Sequence, residues 1–146
     1  MITDRQLLLS NAQAITTTTV STNTIDLLVA RDIGIGDDME LFVRVVTAFA
    51  GGTSLQVSYI TSPNADLSSP NTIVSTPAIP LASLTAGSEW LRIRVPVISQ
   101  PAQVARYVGL AYTVVGTMSA GAVTAGIAMD REASAFYASG LNTSGY

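Results

Sequence analysis

Large side chains alternate with small or polar ones along most of this chain. In MELFVRVVTAF (Met39–Phe49), Leu41, Val43 and Val45 point one way while Glu40 and Arg44 point the other. LRIRVPV repeats the arrangement, with Leu91, Ile93 and Val95 set against Arg92 and Arg94, and SLQVSYIT does so through Leu55, Val57 and Tyr59. A period of two sends successive side chains to opposite faces of a strand, so each segment is predicted as a half-buried β-strand. AITTTTVST, TIDLLV and NTIVST are shorter candidates of the same kind. The helical period of 3.6 is absent apart from a single possible turn near Ala102–Ala105.

The longest uncharged run, YVGLAYTVVGTMSAGAVTAGIAM (Tyr107–Met129), has the length of a membrane-spanning helix. Its pattern points elsewhere. Val108, Leu110, Tyr112 and Val114 are large and Gly109, Ala111 and Thr113 between them are small. After Gly116 and TMSAG the alternation resumes, with Val123, Ile127 and Met129 as the large residues. This predicts a β-hairpin turning at the glycine-containing segment, and no membrane association. The small-residue face of that hairpin suits either core packing or the close approach of another surface. QLLLSNAQA contains an A-x-A at Ala12–Ala14, but its apolar centre is only Leu7–Leu9 and Asp4 precedes it, so it is not read as a secretion leader.

About eight short strands divided by Gly, Pro and Asn turns predict an all-β fold, an antiparallel β-sandwich with a jelly roll ahead of an immunoglobulin-like arrangement. Pro63, Pro70, Pro77 and Pro80 mark a long irregular connection between sheets. Residues 1–130 form the sandwich in this reading. Residues 131–146, REASAFYASGLNTSGY, lack a sheet period and form a C-terminal arm whose Phe136 and Tyr137 are candidate contacts to a neighbouring molecule.

Composition narrows the chemistry. Hydrophobic residues make up 48% of the 146-residue chain and charged residues 12%, about half the usual charged share, which implies surface covered by partners. All seven cations are arginines, and lysine, histidine and cysteine are absent. Thiolate and histidine-based nucleophilic catalysis, Schiff bases, P-loops and the usual zinc sites are therefore excluded. A net charge of −3 disfavours duplex nucleic acid as a partner.

The stretch RDIGIGDDME (Arg31–Glu40) combines a G-x-G with four acids. The third glycine of a dinucleotide fingerprint is replaced by Met39, and a strand follows where a helix is required. Asp32, Asp37, Asp38 and Glu40 lack the alternate spacing of a calcium loop, and no aromatic platform accompanies them as it would in a glycosidase. The stretch reads as a turn in which Gly34 and Gly36 adopt unusual backbone angles. Arg92 and Arg94, with Arg44 or Arg106 nearby, suit either a solvated strand face or a grip on a partner's carboxylates. Trp90 starts a strand and reads as core.

STNTIDLLVARDIGIGDDMEL followed by FVRVVTAF, the opening MITDRQLLLSNAQAIT and the later RYVGLAYTVVGTMSAGAVTAGIAMD together resemble the capsid cement (decoration) proteins of short-tailed bacteriophages, Bordetella-phage type. The resemblance runs to about Asp130. It implies a jelly roll that oligomerises on the outer surface of an icosahedral head, bridging neighbouring capsomers, with no enzymatic activity and no cofactor. Its partners would be the major capsid protein and further copies of itself, a dimer ahead of a trimer, with Arg92, Arg94, Phe136 and Tyr137 as candidate contacts. The protein would be made in the host cytoplasm and end on the virion. The competing reading is a carbohydrate-binding jelly roll for host attachment, against which stands an aromatic content of 6%.

Because the acids of Arg31–Glu40 are poorly spaced for a cation, thermal melts in EDTA and in millimolar calcium are expected to coincide. A calcium-dependent rise of several degrees would replace the turn by a metal loop.

Overall fold

The computed structural model describes residues 4–30 and 39–129. Ten strands follow one another: β1 (Leu8–Ala14), β2 (Thr19–Val20), β3 (Ile25–Asp26), β4 (Met39–Gly51), β5 (Ser54–Ser62), β6 (Asn71–Ser75), β7 (Ile79–Pro80), β8 (Glu89–Arg94), β9 (Tyr107–Val115) and β10 (Met118–Met129). Helical structure among the described residues is limited to single 3-10 turns at Arg5–Leu7, Leu81–Ser83 and Pro101–Gln103. No helix among them is long and apolar enough to cross a membrane.

The strands form two antiparallel sheets. One is four-stranded, in the order β1-β10-β4-β8; the other is built on β2-β9-β5-β6, with β3 also on β9 and β7 also on β5. With β2 and β3 taken as one interrupted strand, and β6 and β7 as another, the sheets interleave along the chain as 1-8-3-6 and 2-7-4-5. That is the order of a jelly roll, as the turn-divided alternation predicts.

The alternating large residues meet between the sheets. Leu41, Val43, Val45, Val123, Ala125 and Ile127 from one side face Leu55, Val57, Tyr59, Val108, Leu110 and Tyr112 from the other, all within one buried cluster. Arg92 and Arg94 point outward from β8 while Leu91 is buried, as expected. Trp90 packs against the same cluster, and its indole N–H donates to Ser88 Oγ at 3.0 Å.

Three expectations are corrected. The hairpin expected in Tyr107–Met129 does not exist: β9 pairs with β5 and β10 with β4 and β1, so the two strands lie in opposite sheets. Their small residues consequently do not share a face, and at two positions the chain itself covers them. A Cβ on Gly126 would lie 2.6 Å from the Leu7 carbonyl oxygen, and one on Gly109 would strike the Leu67 side chain. The turn is also tighter than expected. It occupies Gly116–Thr117, and MSAG is already strand, its alternation scrambled by register shifts between Met118 and Val123. The segment set aside as a leader-like run is β1, whose own register breaks twice across Leu8–Gln13. The threonine run yields only a short strand. Residues 16–18 bend, and Thr18 Oγ1 accepts from the Val114 N–H at 3.0 Å.

The strands change sheets at glycine corners. Gly51 and Gly52 (φ +71° and +60°) join β4 to β5, and Gly116 (φ +83°) joins β9 to β10. The corners touch: a Cβ on Gly116 would sit 2.9 Å from Gly52 Cα, and the Thr53 N–H donates to the Val115 carbonyl at 2.8 Å. Left-handed backbone and close contact together demand glycine there.

A buried polar chain ties the two sheets together elsewhere. Ser10 Oγ donates to Gln13 Oε1 at 2.7 Å, which leaves Tyr112 Oη, 2.8 Å away, as the donor to Ser10. Gln13 is held in turn by the Thr22 N–H and the Val20 carbonyl. Burial pushes the Tyr112 phenol well above its ordinary pKa. The unfolded chain therefore ionises first, so the stability Tyr112 supplies is present below about pH 10 and lost above it. Tyr112→Phe is expected to cost about 1 kcal/mol at neutral pH. It should also flatten the loss of stability between pH 9 and 11 in chemical denaturation. An unchanged alkaline slope would remove the brace.

Candidate interaction surfaces

Charge is segregated between the two outer faces. Every charged strand residue of the four-stranded sheet lies on β4 or β8: Glu40, Arg44, Glu89, Arg92 and Arg94. Register sets Glu40 opposite Arg94 and Arg44 opposite Glu89, and Arg92 Nε lies 3.5 Å from Glu40 Oε2. That oxygen is buried without a hydrogen bond, so its contact with Arg92 is ionic only. The two arginines singled out in the sequence thus share a face and flank one carboxylate. Arg44 joins them there, whereas Arg106 precedes β9 in the opposite sheet. Glu40, counted among the acids of the glycine stretch, belongs to β4 and leaves that cluster. Asp32, Asp37 and Asp38 lie outside the described residues, as do Phe136, Tyr137 and the rest of the 131–146 segment. Among the described residues no three acidic side chains gather as a metal site would require.

The outer face of the other sheet is neutral. Register lines up Val20, Ala111, Ser58 and Ser75 across β2, β9, β5 and β6, with Thr113 beside Gln56 in a further row. Its polar side chains bond within the face: Ser58 Oγ and Ser75 Oγ are 2.8 Å apart, and Gln56 Nε2 donates to the Thr76 carbonyl at 2.8 Å. Polar groups paired in this way can be covered by another surface without being left orphaned.

At the β3 end of this sheet stands the group the sequence reading missed. Asp26 Oδ1 accepts from the Leu28 N–H and from Arg106 Nε, each at 2.7 Å, and Oδ2 accepts from Arg106 Nη2 at 2.7 Å. The Arg106 guanidinium lies 5.0 Å from the centre of the Tyr107 ring. β3 pairs Asp26 with Tyr107, which brings acid and base together across 80 residues of chain. The Arg106 hydrogen bonds first, and the Leu28 N–H second, lower the Asp26 pKa to about 2. A hint was present in the run Leu27–Leu28–Val29, since three consecutive apolar residues cannot all face inward from one strand. Leu27 is buried, and Leu28 and Val29 are exposed.

The molecule is thus a jelly roll with one charged and one neutral outer face. It belongs to the Bbp16 family, a Bordetella phage protein family, whose model matches residues 9–127. No curated protein matches the chain.

The Asp26 carboxyl is expected to titrate near 2 by NMR. Its stabilising share is present above the ordinary carboxylate value near 3.9 and is lost as pH falls toward 2. Arg106→Gln should raise that midpoint toward the ordinary value, stopping short of it because the Leu28 N–H remains. An unshifted midpoint would mean that the ion pair does not hold the turn in solution.

Proposed function

We propose that the protein is a capsid cement, or decoration, protein that binds the outer surface of an icosahedral phage head and stabilises it by bridging neighbouring capsomers. The observation that carries this reading is the neutral outer face of β2, β9, β5 and β6, with its internally bonded polar groups, in a chain of a phage protein family. Such a face suits burial against other protein, and the low charge of the whole chain fits the same use. The charged face of β4 and β8 stays hydrated in this arrangement, its arginines set against Glu40 and Glu89 rather than aimed at a partner.

A cement protein acts by mass action. It binds the assembled lattice better than free subunits, and many modest contacts add to the resistance of the shell to internal pressure. The proposal includes a small homo-oligomer, a dimer ahead of a trimer, and assigns the protein no enzymatic activity. Attachment to host carbohydrate has less support. Trp90, the one tryptophan, is half-buried against the core and bonds Ser88, which leaves less of its ring for a sugar to stack on.

Purified protein is expected to co-sediment with assembled heads stripped of it, to bind unassembled capsid protein at least about tenfold more weakly, and to raise the temperature at which stripped heads release DNA. Retention on a sugar column with no binding to heads would promote the attachment reading.

A further inference from the structure

Two leucines adopt left-handed backbone, and they are treated in opposite ways. Leu67 (φ +58°) is 2% exposed, its side chain pressed onto Gly109, so packing offsets its strain. Leu28 (φ +67°) is 70% exposed, and the next residue, Val29, is 59% exposed. A branched apolar side chain in this backbone region is disfavoured, and at this exposure Leu28 gains little packing to offset the cost. Asp26 imposes the conformation. It accepts the Leu28 N–H while both its oxygens are clamped by Arg106, whose guanidinium rests over Tyr107. Beneath, Leu27 is buried and its N–H donates to the Arg106 carbonyl at 2.9 Å. The fold thus fixes an apolar pair outward at the end of the neutral sheet.

We propose that Leu28 and Val29 are the apolar anchor by which the protein seats in a neutral pocket of the capsid shell, an inference that rests on the cement reading. Rigid presentation lowers the ordering cost of binding, and apolar anchors at the centre of a contact carry most of its energy. The surroundings select the occupant. Asp26 and Arg106 neutralise each other, so among the described residues the rim favours an uncharged protein pocket over an acidic partner or an anionic lipid surface. One open cleft among the described residues, lined by Asp4, Arg5, Gln6 and residues 22–24 with Leu8 as its apolar member, is a poor host for the pair in a second copy.

The test sediments stripped, assembled heads with wild-type protein, Leu28→Ser/Val29→Ser, Leu28→Gly and Asp26→Ala, with a thermal melt of each. The double variant is expected to keep the wild-type melting temperature and to bind heads at least about tenfold more weakly. Leu28→Gly should melt at the same or a higher temperature, because glycine accepts this backbone freely, and still bind more weakly; a purely structural residue would not separate the two readouts. Asp26→Ala, with both apolar side chains intact, should lose a few-fold through loosening of the turn. Undiminished head binding by the double variant would overturn the anchor and leave the cement reading standing. Absence of wild-type binding to heads would remove both. Dissociation of the double variant into monomers would overturn the anchor by assigning the pair to a contact between copies. A substitution-sensitive attachment to phosphatidylcholine vesicles would overturn it in favour of a membrane.

Discussion

Everything in this fold depends on two corners that touch. β4 and β9 each end at glycine, turn within a few residues and continue in the opposite sheet as β5 and β10, and the corners lie against each other with no room for a Cβ. The long strands of both sheets are fixed in relative position by this contact, because β10 pairs with β4 and β9 with β5 from the corners outward. A sandwich made of hairpins could slip one sheet over the other. Here each long strand is covalently continued on the far side of the core, and only compact, left-handed backbone lets the crossings share one end of the molecule.

Away from that clasp, the Tyr112–Ser10–Gln13 chain links β9 to β1, across the sheets. The two ties differ in kind: one is a backbone contact that tolerates no side chain, the other a set of side-chain hydrogen bonds in an apolar interior. Between them lies a core assembled from the alternating residues. Since that core consumes one face of each sheet, the remaining faces are free to differ. All described strand charges except Asp26 fall on one of them, and the other is left to neutral residues, serine, threonine, alanine and glutamine with Val20 among them.

What was legible in the sequence followed from local periodicity. The inward large residues of β4, β5 and β8 could be assigned directly from their alternation, and so could the outward Arg44, Arg92 and Arg94, although burial of Phe42 and Ile60 on the other face could not. Periodicity failed where backbone irregularity shifts the phase. β1 breaks register on both sides of Ser10, with Ala12 at φ +48°, and its seven residues do not look like a strand. Sequence also could not tell a hairpin from a sheet-crossing corner, since both need a glycine turn between two alternating runs. Which strand pairs with which is decided by partners distant in the chain. The same limit hid the Asp26 turn, because its clamp, Arg106, comes from another part of the sequence, and only the surplus of apolar residues at Leu27–Val29 hinted at it. The fragments that resemble phage proteins carried the phage family, consistent with a match spanning both sheets. Phe136 and Tyr137 lie outside the described residues, so the arm stays where the sequence left it.

The pairing of β1 with β10 sets Leu8 opposite Gly126, so the outer strand of one sheet waits for a strand made much later. Moreover β10 is the piece that separates β1 from β4, and without it β1 has no partner in its sheet. A chain leaving the ribosome can therefore bring β4 toward β8 early but cannot close that sheet until β10 has emerged. Contacts so distant in sequence make for slow folding, because long loops must be closed before any pairing rewards them. Until then the edge of β4 that β10 will pair with stands open in a crowded cell. For such a topology, the pace of translation and the wait for β10 set the period of greatest vulnerability to aggregation.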